Sequence, residues 1–76
     1  MELTGKFKVL EIKKKTSAVF FRELQVGDTF ELVYSLNGGY ESAPYIRIYK
    51  DGNHAINNNA LQLKKNMSKF KLEQVS

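Results

Sequence analysis

The chain has 76 residues, of which 12 are Lys or Arg, eight are Asp or Glu and none is Cys. This length predicts one small domain over residues 1–76, and the absence of Cys excludes disulfides and most structural zinc sites. The uncharged stretch at residues 32–40 is too short and too polar to span a membrane, and the first residues lack the apolar core of a signal peptide. We therefore expect a cytoplasmic protein.

The net charge of +4 is distributed unevenly along the chain. Residues 6–15 carry +4 and residues 64–71 carry another +4, whereas residues 16–63 carry −2. Clustered lysines on a basic chain are typical of proteins that bind a polyanion, although lysines also keep small proteins soluble.

Alternating apolar residues over 6–15 predict the first strand, with Phe7 and Val9 facing the core. The alternation changes phase at the adjacent pair Val9-Leu10, so that Leu10 and Ile12 then take the apolar positions. This change indicates a β-bulge, which would bend the strand as a barrel requires.

Residues 16–25 are less regular and predict a short turn or one-turn helix that places Phe21 and Leu24 in the core. Gly27-Asp28 then makes a tight turn, since Gly adopts a conformation that other residues resist. The clearest strand covers residues 29–36. One face of this strand carries Phe30, Leu32, Tyr34 and Leu36.

A turn or loop at residues 37–39 precedes a strand that runs from Pro44 to Lys50. Asp51-Gly52 predicts a two-residue hairpin, after which residues 53–57 return as a short strand. Asn58 or Asn59 can cap a short helix at about residues 59–66, and the final strand covers residues 69–74.

These elements predict a mainly β fold, a small five-stranded SH3-like barrel with one short helix before the last strand. An OB-like barrel is the alternative, but an OB-fold places its helix between the third and fourth strands.

The predicted barrel pairs the first strand with the last. Lys6 and Lys8 would then share an outward surface with Lys69 and Lys71, because side chains alternate across a strand. Like charges facing each other are unfavourable, and a bound anion would relieve the repulsion. The competing interpretation is that these lysines protect strand edges against aggregation.

A second candidate surface consists of Tyr45, Arg47 and Tyr49 on one strand face. Two aromatic rings beside a guanidinium can stack on bases and pair with phosphate. The same pattern is also typical of cross-strand packing, and Tyr and Arg are favoured in protein interfaces.

Catalytic and metal-binding patterns are missing from the sequence. His54 is the only histidine, and the serines and glycines do not match nucleophile, phosphate-loop or dinucleotide motifs. We therefore expect no enzyme activity, no cofactor and no metal.

Three segments resemble short proteins encoded by phages of Gram-positive bacteria, over roughly residues 20–73. The segments are Phe21-x-x-Leu24-x-Val26-Gly27-Asp28, Tyr45-Ile46-Arg47-Ile48-Tyr49, and Asn59-Ala60-Leu61 with Phe70-x-Leu72. The resemblance implies a protein of host takeover or of a replication region, in the cytoplasm of a bacterial host. No functional residues follow from it.

The leading prediction is a monomer or homodimer that binds nucleic acid, either single-stranded or without sequence preference. Its predicted contacts are Lys6, Lys8, Arg47, Tyr45, Tyr49, Lys69 and Lys71. The alternative is a phage-type protein-interaction module that binds and modulates a host protein.

Overall fold

The computed structural model describes residues 4–35 and 45–75. Leu36, the predicted loop at residues 37–39 and Pro44 lie outside the described residues. A single 3-10 turn, Phe21–Glu23, precedes the second strand. The other elements are β1 (Gly5–Ile12), β2 (Thr29–Ser35), β3 (Tyr45–Lys50), β4 (Asn53–Asn59), α1 (Ala60–Met67) and β5 (Phe70–Gln74).

The strands form one antiparallel sheet in the order β4-β3-β2-β1-β5. The predicted mainly β class and the pairing of the first strand with the last are therefore confirmed. The edge strands are β4 and β5, and the helix α1 connects them along the chain and lies against β3, β4 and β5. Within the described residues, no helix is long and apolar enough to cross a membrane.

The core lies between the inward face of the sheet, the 3-10 turn and α1. Phe21 and Leu24 are buried as predicted, and Leu63 and Met67 are the buried residues of the helix. The sheet supplies most of the rest. Its buried residues are Phe7, Val9, Phe30, Leu32, Ile46, Ile48 and Phe70.

The 3-10 turn is held in place by aromatic packing. Phe20 precedes it with a φ of 74°, a conformation that is rare for a bulky residue. The Phe20 ring meets the Phe21 ring edge-on at 5.2 Å and the Phe30 ring at 5.8 Å. These contacts stabilise the unusual backbone geometry and fix the turn against β2.

The predicted bulge in β1 is confirmed, because the pairing of β1 with β5 shifts register between Val9 and Glu11. Past the bulge, Ile12 pairs with the buried Phe70 and so lies on the inward side as expected, but Leu10 and Ile12 remain 40% and 38% exposed. The pairs of β1 with β2 run only from Gly5 to Lys8. Beyond the bulge, β1 pairs with β5 alone, so its apolar side chains are more exposed to solvent than those before the bulge.

Several predicted boundaries differ from the structure. The first strand ends at Ile12 rather than residue 15, β4 extends to Asn59 rather than residue 57, and β5 begins at Phe70. The helix begins at Ala60, and its N-cap is Asn59, whose Oδ1 accepts a hydrogen bond from the Gln62 amide at 2.8 Å. The predicted cap chemistry is therefore confirmed.

The predicted hairpin is confirmed at Asp51-Gly52, where φ is 54° and 82°. Two successive positive φ angles define the turn that best matches the twist of a hairpin. We expect Gly52→Ala to lower the free energy of unfolding by about 1–2 kcal/mol, because an L side chain resists this conformation. A Cβ at Gly52 meets nothing within 4 Å, so steric overlap adds nothing.

Urea unfolding followed by circular dichroism measures this cost. Gly52→Asn is the matched control, because Asn tolerates the left-handed conformation better than Ala does. Equal stability of Gly52→Ala and the parent protein would contradict the assigned turn.

Candidate functional site

The outward face of the sheet carries a row of polar side chains across four strands. In this row His54 pairs with Tyr49, Tyr49 with Glu31, and Glu31 with Lys6. The Tyr49 and His54 rings lie 5.4 Å apart, and His54 Nε2 lies 2.8 Å from Asn57 Oδ1. Tyr49 and Lys6 therefore share one face, with a carboxylate between them.

The prediction that lysines of β1 and β5 lie opposite each other is wrong. The register places Lys8 opposite Glu73 and, past the bulge, Lys71 opposite Glu11. Each of these lysines thus faces an acidic residue, so their arrangement does not require a bound anion to relieve repulsion.

Arg47, another predicted contact on β3, is exposed and pairs with Val33 and Asn57. Tyr45 pairs through its backbone with Asn59, but its side chain lies outside the described part of the structure. The described outward face holds nearly balanced charges. It carries Lys6, Lys8, Arg47 and Lys71 against Glu11, Glu31 and Glu73.

Lys69 lies elsewhere, in the turn between α1 and β5. Its Nζ donates a hydrogen bond to Thr16 Oγ1 at 3.2 Å, and its carbonyl accepts from the amides of Lys13 and Lys14 at 2.9 and 3.1 Å. The two basic segments of the sequence therefore do meet, but at the end of β1 rather than along the paired strands.

Two adjoining grooves flank this junction and share Thr16. The first, here called the β1-end groove, has a volume of about 540 Å³. It is lined by Ile12, Lys13, Lys14, Lys15, Thr16, Phe21, Arg22, Leu24 and Phe70. The second, here called the helix groove, has a volume of about 390 Å³. It is lined by Thr16, Ser17, Ala18, Val19, Ile56, Asn58, Gln62, Lys65, Asn66 and Lys69.

The two grooves together are here called the basic surface. None of the described residues that line them is acidic. The cations of this surface are Lys13, Lys14, Lys15, Arg22, Lys65 and Lys69. Such a one-sided set of charges produces a positive potential that attracts anions.

Arg22 forms an ion pair within the described residues, since its Nε lies 4.0 Å from Glu23 Oε2. Both side chains are more than half exposed, and such pairs contribute little at a solvated surface. Arg22 therefore remains able to exchange this partner for a bound anion.

Uncharged hydrogen-bonding groups surround the two lysines of the helix groove. Its lining includes the side chains of Ser17 and Gln62, and the Asn66 amide donates to Asn58 Oδ1 at 3.4 Å. Hydroxyl and amide groups beside lysines are the groups that contact phosphates and sugars in protein–DNA complexes.

The described residues contain no cluster of three or more His, Asp or Glu side chains that could hold a metal ion. The chemistry of the basic surface consists of hydrogen-bond donation and positive charge.

Sequence reasoning missed five cations of the basic surface and found only Lys69. The usable signal was the uninterrupted run Lys13-Lys14-Lys15, which follows the end of the apolar alternation. Lys65 belongs to the basic segment at residues 64–71, whereas Arg22 gave no signal, because only the folded chain brings it beside that run.

Comparison of the chain with protein-family models, with curated proteins and with solved structures gave no significant match.

Proposed function

We propose that this protein binds nucleic acid without sequence preference and that the basic surface is its principal contact. The observation that carries this proposal is the meeting of six cations in two adjoining grooves whose described lining contains no carboxylate. A phosphate backbone is the ligand that matches a continuous positive surface of this kind.

The physical driving force is the release of counterions. A nucleic acid carries a condensed layer of cations, and each lysine or arginine that neutralises a phosphate releases some of them. The hydroxyl and amide groups of the helix groove add hydrogen bonds that position a backbone but do not read its sequence.

The outward face of the sheet is a second surface that could contact nucleic acid. Arg47 and Tyr49 lie on it and offer a guanidinium next to an aromatic ring, the pairing that stacks on bases. The acidic residues opposite Lys6, Lys8 and Lys71 weaken its attraction for phosphate, so we assign it a secondary role.

The finer proposal for the fold is an SH3-like barrel. Two features support it over an OB-like barrel, namely the place of β1 between β2 and β5 and the place of α1 directly before the last strand. The proposed ligand is consistent with action in the cytoplasm, that of a bacterial host if the resemblance to phage-encoded proteins holds.

Titration of a fluorescent oligonucleotide at a series of salt concentrations tests the function. If all six cations contact phosphates, the slope of log affinity against log salt is about −4 to −5. A slope near zero, or no binding at about 50 mM salt, would contradict the proposal, because phosphate contacts make affinity strongly salt-dependent.

A protein-interaction module that binds a host protein is the second candidate function. It is favoured by the nearly neutral sheet face, which places Arg47 beside Val33, a residue 39% exposed, and carries Tyr49 nearby. Tyr and Arg are enriched among residues that dominate binding energy in interfaces. This function predicts that a host protein binds the chain and stays bound after nuclease treatment. The double variant Arg47→Ala with Tyr49→Ala should lose this binding.

A further inference from the structure

We infer that the ligand of the basic surface is double-stranded nucleic acid, held by its backbone rather than by stacked bases. This inference rests on the proposed function and specifies the form of nucleic acid that the surface prefers.

The described lining of the two grooves offers no accessible aromatic platform. Proteins that prefer single strands stack successive bases on exposed rings. The aromatic residues described in the lining of the two grooves are Phe21 and Phe70, which are 1% and 4% exposed. Their rings lie 6.2 Å apart within the core, so they cannot receive a base.

The more accessible of the described aromatic side chains lie away from the two grooves. Tyr34 is 47% exposed on β2 and Tyr49 is half-buried on β3, and neither is among the described residues that line the grooves. In the described lining of the basic surface, a bound strand would therefore find charge and hydrogen-bond donors but no accessible ring for its bases.

The density of phosphate charge also favours a duplex. A duplex carries about one phosphate charge per 1.7 Å of its axis, about twice the density of one of its strands, and releases more counterions for each contact. A surface that binds only through cations and polar donors gains from that density. With six contacts at about 0.1 M salt, the difference corresponds to roughly 10-fold tighter binding of a duplex.

A competition experiment with the full chain tests this inference. A labelled duplex of about 20 base pairs is displaced by the same unlabelled duplex, by either of its single strands, or by a duplex of unrelated sequence. We expect both duplexes to compete equally and each single strand to compete roughly 10-fold more weakly.

Equal or stronger competition by the single strands would overturn the inference while leaving the proposed function intact. Strong discrimination between the two duplexes would also overturn it, because backbone contacts alone carry no direct sequence information. Failure of the labelled duplex and of labelled single strands to bind at all would overturn both the inference and the proposed function.

Discussion

Neutralising Lys14 and Lys15 together, by Lys14→Gln with Lys15→Gln, should weaken nucleic-acid binding by about 60-fold at about 0.1 M salt. Both side chains are exposed and line the β1-end groove, so their loss removes two of the proposed phosphate contacts without disturbing the core. The slope of log affinity against log salt should fall in magnitude by about 2. Fluorescence anisotropy titrations at several salt concentrations measure both quantities.

The matched control is Lys6→Gln with Lys8→Gln. It removes the same charge from the outward sheet face, where Glu31 and Glu73 lie opposite the two lysines. We expect only a small loss of affinity, since these positions lie outside the described lining of the basic surface. A larger loss in the control than in the groove variant would place the interface on the sheet face, and equal losses would indicate a response to net charge alone.

The mainly β class and most of the secondary-structure elements were predictable because their strongest determinants are local. Period-two alternation defined Phe7 and Val9 as core residues, and Asp51-Gly52 carried the chemistry of its own turn. The cap at Asn59 depends on an amide only three residues away. Such signals act over short stretches of chain, so the sequence contains them in full.

The register between β1 and β5 was not predictable in the same way. The sequence indicated the bulge after Val9, but not which residue of the last strand lies opposite each residue of the first. That pairing depends on how two segments at opposite ends of the chain pack, and it set Lys8 opposite Glu73 and Lys71 opposite Glu11. The prediction that these lysines repel each other was wrong because it assumed a register that the sequence does not specify.

The candidate site depends even more on distant contacts. Counting charges identified two basic segments, but their meeting point is set by the Lys69 carbonyl, which accepts from two amides at the end of β1. The hydrogen bond from Lys69 Nζ to Thr16 joins positions 53 residues apart. Arg22 joins the surface only because the aromatic packing of Phe21 fixes the 3-10 turn beside it.

That aromatic packing leads to the largest expected effect on stability, which is the truncation Phe21→Ala. Phe21 is 1% exposed, and its ring lies 5.2, 6.3 and 6.2 Å from those of Phe20, Phe30 and Phe70. Replacing a buried Phe by Ala costs about 3–5 kcal/mol through lost burial and the cavity that remains. The total free energy of unfolding of a 76-residue domain is roughly 4–11 kcal/mol.

Phe21→Ala should therefore be largely unfolded or unfold at a much lower urea concentration than the parent, as followed by circular dichroism. Leu61→Ala is the control, because Leu61 is 79% exposed on α1 and its truncation should change stability by less than about 0.5 kcal/mol. The two variants each remove an apolar side chain from a short helical element and differ chiefly in burial. If Phe21→Ala unfolds at the same urea concentration as Leu61→Ala, the 3-10 turn is not anchored in the core. Phe21 would then not form part of the lining of the β1-end groove.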